Sequence, residues 1–302
     1  MTGDRPILIV IAGPTASGKT KLAIDIAEFY ATEIISADSR QCYRELTIGT
    51  AKPSPEELSS VPHHFINSHS ITEHFSAGQF AEQSSTLLTA LFKKNKVVVA
   101  VGGTGLYIKA LTEGFDEMPE LDAAIRIQLN QLYDQEGLAP IQKIVAESDP
   151  VFYDQVDKNN RARLIRAAEV ILSTGKPYSS FRIEKVKDPY FTELKIVIDW
   201  PRELLYERIN LRVDLMMNEG LLQEVESLLP FKEHNALKTV GYTELFEYLE
   251  GKFTLPEAVE KIKQHSRNYA KRQLTWFRNQ GNYSFVDPAE TLALLKYRVN
   301  LK

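Results

Sequence analysis

The sequence predicts an α/β fold in which helices flank a mostly parallel β-sheet. Four short apolar runs rich in β-branched residues carry this prediction, at residues 7–12, 33–37, 96–101 and 195–198. A glycine or an aspartate follows each run, and stretches with helical periodicity separate the runs. Continuous apolar runs of this length indicate parallel strands that are covered on both faces. Ligands of such sheets bind beyond the carboxyl ends of the strands.

A phosphate-binding loop follows the first run. The pattern G-x-x-x-x-G-K-[ST] is matched in full by Gly13, Pro14, Thr15, Ala16, Ser17, Gly18, Lys19 and Thr20. Apolar residues at helical spacing from Leu22 to Tyr30 predict a helix directly after the loop. Because N–H groups at a helix N-terminus attract anions, we expect all eight residues to bind a di- or triphosphate. Lys19 is expected to bridge phosphates and Thr20 to ligate Mg²⁺, in a P-loop NTPase-like fold.

A helical insertion is predicted in the middle of the chain. Residues 116–190 contain no convincing strand, and Ile125, Leu129 and Leu132 repeat at helical spacing, as do residues 164–171. We therefore predict a discontinuous catalytic core, residues 1–115 and 191–302, and an insertion domain of residues 116–190. Residues 53–55 and 279–282 are predicted to be loops.

The composition limits the class of protein. The 302 residues carry a net charge of −4, so a nucleic-acid partner would have to bind a local basic patch. The single cysteine, Cys42, excludes an intrachain disulfide and disfavours a cysteine-based zinc site. We see no signal peptide and no apolar run of membrane-spanning length, and we expect a cytoplasmic protein without a membrane partner.

Two aspartates follow predicted strands. Asp38 could cap a helix, or it could act as a general base or hold magnesium at the rim that carries the phosphate-binding loop. Asp199 resembles the acidic strand end that assists magnesium in many proteins with this loop, but the pattern is common. We therefore rank Asp199 below Asp38.

Histidines cluster in one short segment. His63, His64, His69 and His74 have no spacing typical of a metal site, which favours hydrogen-bonded or solvated histidines in a loop. We expect Cys42 to be a buried, unreactive thiol.

Basic residues form three groups. Arg161, Arg163 and Arg166 lie in the insertion. The stretch from Lys261 to Arg278 contains six cations, three aromatic residues and no acidic residue, a pattern that favours an anionic partner such as RNA. Arg208 and Arg212 share a helix face, where they could clamp phosphates or form surface ion pairs with Glu203 and Glu207.

Several sequence blocks together resemble the tRNA dimethylallyltransferase family. The blocks are Gly13–Thr20, Asp38–Gln41, Ile48–Pro53, Val61–His64, Gly102–Tyr107, Gly241–Tyr242 and Arg272–Phe277. The resemblance implies transfer of a dimethylallyl group from its diphosphate to N6 of the adenosine 3′ of the anticodon, in tRNAs that read codons starting with U. It also implies no NTP hydrolysis, an insertion that binds the anticodon stem-loop, and the bacterial type without a zinc finger, here expected to be a monomer.

The resemblance also implies roles for individual residues. Asp38 matches the general base, and Arg212 is matched less firmly to an arginine that contacts the diphosphate; with Lys19 and Thr20 they form the expected catalytic set. The expected tRNA-binding residues are Asp38, Ser39, Arg40, Gln41, Thr104, Arg126, Ala162, Arg163, Leu164, Ile165, Arg166 and Arg272. At Ala162 this chain departs from the family, which often has Gln there.

Two other classes remain as alternatives. A P-loop nucleoside or nucleotide kinase shares the loop and the sheet, and the insertion could be its lid, but it does not need the basic-aromatic stretch. An RNA-binding NTPase switch would leave Asp38 and the glycine-rich turn at residues 102–105 without a function. ATP binding to the loop stays open.

Overall fold

The chain forms two compact units. The computed structural model describes residues 5–116, 118–119, 121–182 and 190–289. The first unit consists of Met1–Gly114 and Pro189–Lys302, and the second of Phe115–Asp188. The predicted boundaries, after residues 115 and 190, lie one and two residues further along the chain.

A six-stranded parallel sheet forms the centre of the first unit. Its strands are β1 (Ile7–Ala12), β2 (Ile34–Ser36), β3 (His63–His64), β4 (Val97–Gly102), β5 (Thr192–Ile198) and β6 (Ser284–Val286). Their order across the sheet is β3-β2-β4-β1-β5-β6, and all pairings are parallel. The predicted α/β class and the four predicted strands are confirmed, whereas β3 and β6 were not predicted.

Twelve α-helices lie in the described part of the chain. Those before and after the insertion are α1 (Lys19–Phe29), α2 (Pro55–Ser60), α3 (Ala77–Phe92), α4 (Gly105–Glu113), α9 (Arg202–Asn218), α10 (Leu221–Ser227), α11 (Tyr242–Leu249) and α12 (Leu255–Asn279). Those of the insertion are α5 (Ala123–Glu136), α6 (Ala139–Ser148), α7 (Pro150–Gln155) and α8 (Arg161–Thr174). No helix in the described ranges is both long and apolar enough to cross a membrane.

The loop predicted at residues 53–55 needs a correction. Pro55 is the first residue of α2, because Ser54 and Glu57 form a capping box. The Glu57 N–H donates to the Ser54 hydroxyl at 3.2 Å, and the Ser54 N–H donates to the Glu57 carboxylate at 2.8 Å. The proline therefore starts a helix at the position where its missing N–H costs nothing.

Both faces of the sheet are buried. Leu8 and Val10 of β1 belong to the apolar cluster on one face, and Ile9 and Ile11 belong to the cluster on the other. All four side chains are fully buried. Side chains alternate between the faces of a strand, so a continuous apolar run is what a strand covered on both sides requires.

The insertion has an apolar core of its own. It includes Leu129 of α5, Ile141 and Val145 of α6, Phe152 of α7 and Leu164 of α8. Asp149, which is buried, accepts hydrogen bonds from the Phe152 N–H and from the Ser179 N–H and hydroxyl. The helical periodicity seen in the sequence thus corresponds to packing within this unit.

The loops that follow three neighbouring strands lie at one edge of the sheet. Ala12 of β1 pairs with Gly102 of β4, and Ser36 of β2 pairs with Val101. The phosphate-binding loop, Asp38 and the turn at residues 102–105 therefore follow neighbouring strand ends. A side chain at Gly102 would lie 2.2 Å from the Ala37 carbonyl oxygen, so only glycine fits between these strands.

Candidate active site

The phosphate-binding loop is held in shape by side chains from distant parts of the chain. Gly18 has a φ of 86° immediately before α1, and Ala16 has a φ of 63°. The Trp200 indole N–H donates to the Ser17 carbonyl at 2.9 Å, and Arg208 Nε donates to the Ala16 carbonyl at 2.9 Å. The loop carbonyls are therefore occupied by donors, which fixes the backbone around the anion site.

Arg208 contacts the phosphate-binding loop and forms, among the described residues, none of the surface ion pairs that one interpretation gave it, while its role as a phosphate clamp stays a prediction. Its guanidinium supports the loop carbonyl and lies 4.5 Å from the centre of the Trp200 ring. No ion pair between Arg208 and Glu203 or Glu207 is formed in the described structure. Arg208 stabilises the loop from behind, whereas Arg212, one turn further along α9, lines the cavity.

A cavity of about 130 Å³ lies in front of the loop. Every residue of the expected catalytic set lines it, namely Lys19, Thr20, Asp38 and Arg212. Thr15, Arg40 and Gln41 line it as well. Residues that are far apart in the sequence thus meet in one cleft, as the rule for parallel sheets predicts.

The cavity carries an excess of positive charge. The pKa of Lys19 is lowered to about 8, mainly by burial and also by the nearby Arg212, and Asp38 opposes the shift. Burial also lowers the pKa of Arg212, again against the effect of Asp38. The buried Nε of Arg212 has no hydrogen-bond partner in the described structure. A bound dianion would supply the missing acceptor and compensate the two cations.

Asp38 closes a turn and caps no helix of the described structure, which corrects the capping interpretation of its sequence position. Its Oδ1 accepts hydrogen bonds from the N–H groups of Arg40 and Gln41, at 2.9 and 3.3 Å, and so closes the turn after β2. Its Oδ2 accepts no hydrogen bond from the described residues. The turn therefore holds the carboxylate rigidly at the cavity and leaves one oxygen for a proton.

Thr104 links Asp38 to helix α12. Its hydroxyl oxygen accepts the Ser39 N–H at 3.1 Å, and it is hydrogen-bonded to the Tyr269 hydroxyl. Burial of that hydroxyl raises the pKa of Tyr269 to about 12, and the Asp38 charge acts in the same direction. Gln41 donates through Nε2 to the carbonyls of Thr50 and Ala51, both at 3.1 Å. The segment 38–41 thus forms one wall of the cavity.

The cavity is charged at one end and apolar at the other. Helix α9 lines it with Ile209, Val213 and Met216, which recur on one helix face. Met216 lies four residues beyond Arg212, about 6 Å along the axis at 1.5 Å per residue. Leu221, Val240 and Ile262 complete an apolar wall. The shape suits a ligand that joins a phosphate group to a short hydrocarbon.

Comparison with known proteins identifies the family. The model of the family described as IPP transferase matches residues 41–280. The chain belongs to this family. The tRNA dimethylallyltransferase of Christiangramia forsetii is 50% identical over 271 residues, 90% of each chain. That of Flavobacterium johnsoniae is 46% identical over 286 residues, 93% of each chain. The predicted family is therefore confirmed.

Solved structures agree with the IPP transferase assignment. The tRNA delta(2)-isopentenylpyrophosphate transferase of Staphylococcus epidermidis is 36% identical, with a TM-score of 0.72 and coverage of 98% of this chain and 99% of that one. A eukaryotic dimethylallyltransferase acting on tRNA is 25% identical, with a TM-score of 0.78 and coverage of 97% and 77%. The kinase alternative is not favoured by these relatives.

Two residues important for the geometry were not assigned a role from the sequence. Glu224 of α10 accepts hydrogen bonds from the N–H groups of Thr47, Ile48 and Gly49, at 3.1, 2.8 and 3.1 Å. It also accepts the Tyr242 hydroxyl at 2.6 Å. The second residue, Gln273, contacts the phosphate-binding loop. The family blocks at residues 48–53, 241–242 and 272–277 include residues that take part in these hydrogen bonds, but no local sequence pattern predicted the contacts.

Two residues that could ligate magnesium, Thr20 and Asp38, line this IPP transferase cavity. Asp199, the second aspartate considered, lies 3.7 Å from Arg278 and does not line the cavity. Within the described ranges, no three histidine, cysteine or acidic side chains form a metal cluster. The Thr20 hydroxyl lines the cavity, so the residues present fit a magnesium ion held mainly by diphosphate oxygens and water.

The clustered histidines have structural partners. His63 and His64 form strand β3, which corrects their prediction as loop residues. His63 Nδ1 lies 2.7 Å from the Val61 carbonyl, and His64 Nε2 lies 2.7 Å from the Glu33 carboxylate. His69 stacks on Phe75 at 3.8 Å. Cys42 is buried, and burial raises the pKa of its thiol to about 12, so a thiolate does not form near neutral pH.

The basic stretch of α12 is less available to RNA than the sequence suggested. Four of its six cations have partners within the core: Lys261 lies over Phe253, Lys263 binds Asp214 and Glu260, Arg267 binds Asn210, and Arg278 pairs with Asp199. Lys271 and Arg272 are exposed, and Arg272 lies 5.7 Å from the centre of the Tyr269 ring. Lys261 and Arg278 are exposed despite their partners, so the candidate RNA surface of this helix loses only Lys263 and Arg267.

Fewer residues of the insertion are available to contact tRNA than the sequence suggested. Leu164 and Ile165 are buried in the insertion core, so their side chains cannot contact RNA, which corrects that expectation. Arg126 and Arg166 both donate to the buried Glu169 carboxylate, at 3.1 and 3.0 Å. Arg161 lies over the Tyr133 ring at 3.7 Å. Ala162 and Arg163 are exposed, and the described structure gives the Arg163 guanidinium no ion pair.

Proposed function

We propose that this chain transfers a dimethylallyl group from dimethylallyl diphosphate to N6 of the tRNA adenosine immediately 3′ of the anticodon. The tRNAs would be those that read codons starting with U, and diphosphate would be released. One observation carries the proposal: a carboxylate with an unengaged oxygen, Asp38, shares a cavity with two enclosed cations, Lys19 and Arg212, and with an apolar wall. The names of the relatives support the same reaction.

The charged end of the cavity favours departure of the diphosphate. Negative charge grows on the leaving oxygen as the C–O bond breaks, and Lys19, Arg212 and the N–H groups at the start of α1 are in place before it develops. Preorganised donors of this kind lower the barrier because they need no rearrangement during the reaction. An allylic carbon tolerates the matching partial positive charge.

Asp38 serves the nucleophile. The exocyclic amine of adenine is a weak nucleophile, since its lone pair is delocalised into the ring. As the N–C bond forms, the amine loses a proton, which Oδ2 of Asp38 accepts while Oδ1 stays fixed by the turn. The base has to leave its stack to reach the cavity, as in other enzymes that modify a base.

Magnesium fits the same step. When bound, the ion would neutralise diphosphate oxygens and so make the group a better leaving group. Thr20 is the protein ligand proposed here. We expect transfer to stop after chelation of divalent ions and to resume on addition of Mg²⁺; full activity after exhaustive chelation would contradict the assignment.

The proposed partner is the anticodon stem-loop of a tRNA, bound by a monomer in the cytoplasm. Two groups of exposed residues support it: Tyr269, Lys271 and Arg272 on α12, and Ala162 and Arg163 on α8. Arg cations contact phosphates, and an aromatic ring can stack on an unpaired base.

A double-label experiment tests the reaction. The protein is incubated with unmodified tRNA, Mg²⁺ and either dimethylallyl diphosphate labelled in the prenyl group or ATP labelled in the γ-phosphate. We expect prenyl label in the tRNA, at the adenosine 3′ of the anticodon, and no transfer of phosphate label. Phosphate label on a nucleoside or nucleotide acceptor, without prenyl transfer, would establish the kinase instead.

A further inference from the structure

The side chain of Gln273 connects the phosphate-binding loop to the turn after β4. Its Oε1 accepts the Thr15 N–H at 3.0 Å, and its Nε2 donates to the Gly103 carbonyl at 2.9 Å. The residue is 7% exposed and lines the cavity. Both polar atoms of the amide are therefore hydrogen-bonded: the oxygen accepts and the nitrogen donates.

This contact occupies part of the anion site. The Thr15 N–H lies in the N-terminal half of the loop, in which Pro14 has no N–H group. The Ser17 N–H donates back to the Pro14 carbonyl at 3.3 Å. At the other side of the loop, the first N–H groups of α1 have no partner within the helix and remain available to an anion. The loop thus offers donors on one side and carries a bound amide oxygen on the other.

The amide is held firmly in place. A methyl group added at Gly103 would lie 2.3 Å from Gln273 Nε2, so the turn and the amide are in close contact. Three residues further along α12, the Trp276 ring packs against Gly105, where a methyl group would lie 2.3 Å from the ring. Helix α12 therefore packs closely against the turn both at the amide and three residues beyond it, which limits the space around the Gln273 side chain.

We infer that Gln273 restricts the phosphate-binding loop to diphosphates and excludes a third phosphate group. The inference rests on the proposed function for the identity of the diphosphate ligand. A third phosphate bound at the N-terminal half of the loop would have to replace Gln273 as the acceptor of the Thr15 N–H. Its oxygens would also lie close to the amide oxygen of Gln273, and two hydrogen-bond acceptors repel each other. The same N–H that could bind a triphosphate is thus already satisfied in this protein.

Binding of two inorganic ligands tests the inference without any prenyl transfer. Pyrophosphate and tripolyphosphate are titrated by calorimetry into the wild type and into Gln273→Ala, at one pH and one Mg²⁺ concentration. We expect the wild type to prefer pyrophosphate, and the preference to fall by about tenfold in Gln273→Ala, mainly through tighter tripolyphosphate binding. Thr275→Ala, an exposed position on the same helix, is the matched control and should keep the wild-type ratio.

A second variant distinguishes the loss of the amide from a folding defect. Gln273→Met keeps much of the side-chain volume but has no amide oxygen, so it frees the Thr15 N–H without opening a large cavity, and its preference for pyrophosphate should fall as in Gln273→Ala. An unchanged ratio in both variants overturns the inference. Equal loss of both ligands in folded Gln273→Ala also overturns it, because the amide would then only build the loop. Failure of the wild type to transfer a prenyl group would refute the proposed function but would leave this ratio unaffected.

Discussion

The enclosed ammonium of Lys19 makes ligand binding sensitive to pH. Burial holds its pKa at about 8, below the ordinary value of 10.5. The ammonium form is therefore nearly complete at pH 7 and is lost as the pH rises through 8, whereas a solvated lysine would keep its proton to about pH 10. A bound diphosphate needs the charged form and favours it in return.

Diphosphate affinity should therefore fall above pH 8. We expect the association constant of isopentenyl diphosphate, an unreactive isomer of the proposed donor, to drop by about tenfold for each pH unit above 8. Calorimetric titrations between pH 7 and 9.5 would measure this slope. Lys19→Met should bind weakly at every pH and show no slope. A wild-type affinity that stays constant to pH 9.5 would contradict the assigned charge.

Asp38→Asn should separate chemistry from binding. The amide oxygen of Asn can still accept the Arg40 and Gln41 N–H groups, so the turn should persist, but the side chain can no longer take a proton. We expect single-turnover prenyl transfer to slow by about 10²-fold or more. The tRNA dissociation constant should change little. An unaltered single-turnover rate would remove Asp38 from the role of base.

At the residue scale, the sequence predicts contacts that are local in the chain. The phosphate-binding loop is eight consecutive residues, and Asp38 directly follows a strand, so both were found. Gln273 and Glu224 were not, because their hydrogen bonds span 258 and 175–177 residues. Whether an amide or a carboxylate meets a distant N–H depends on helix packing, which no local pattern encodes.

Helix α9 contributes both charged and apolar side chains to the cavity. Arg212 lies near the middle of the helix, and Met216 lies one turn beyond it on the same face. The face away from the cavity carries Leu211 and Leu215, which are 61% and 49% exposed. The helix thus has one face that lines the cavity and one face that is exposed to solvent. A substitution on the exposed face can therefore serve as the control for a substitution on the cavity face.

Met216→Ala should admit a longer prenyl group. Removing the side chain enlarges the apolar end, where the second isoprene unit of geranyl diphosphate would have to lie. We expect the ratio of kcat/KM for geranyl over dimethylallyl diphosphate to rise by about tenfold. Leu215→Ala, on the exposed face, should leave the ratio unchanged. If both variants behave alike, Met216 does not limit the chain length.

Helix α10 fixes the loop at residues 47–49 through Glu224. Glu224→Ala would leave three backbone N–H groups and the Tyr242 hydroxyl without their acceptor. We expect the free energy of unfolding to fall by about 3 kcal/mol, because unsatisfied buried donors cost about 1–3 kcal/mol each and water would reach some of them. Urea denaturation measures the change. Glu226→Ala, exposed on the same helix, should have an effect near zero.

Elements differ in how well the sequence predicts them. Strands β1 and β4 have six residues each and are buried except for the half-buried Ile7, so composition alone indicates them. Strands β3 and β6 have two and three residues, too few to show a period. Their pairing comes from the neighbouring strands β2 and β5, which is a tertiary effect. The helices of the insertion were predicted because their apolar spacing repeats over several turns.

For the whole molecule, the charge distribution matters more than the net charge. The chain carries a net charge of −4 but is proposed to bind a polyanion. Cations paired with carboxylates, such as Lys263 with Asp214 and Arg166 with Glu169, contribute little to a long-range field, because the neighbouring charge compensates them. Exposed cations in the described part of the chain, such as Arg163 and Lys271, can contact phosphates, and the dependence of RNA affinity on salt should report how many of them do.

Arg163 and Arg166 should differ in their effect on tRNA binding, although the sequence suggests equal roles. Arg163 is exposed and has no ion pair in the described structure, so Arg163→Ala should reduce the slope of log K against log salt concentration by about 0.7 and leave stability unchanged. Arg166 shares the buried Glu169 with Arg126, so Arg166→Ala should lower the unfolding free energy and change the slope less. Filter binding between 50 and 300 mM salt gives the slopes, and Lys143→Ala, which removes an exposed cation 3.9 Å from Glu147, is the control. Equal slopes for wild type and Arg163→Ala would show that this face of α8 does not contact the RNA backbone.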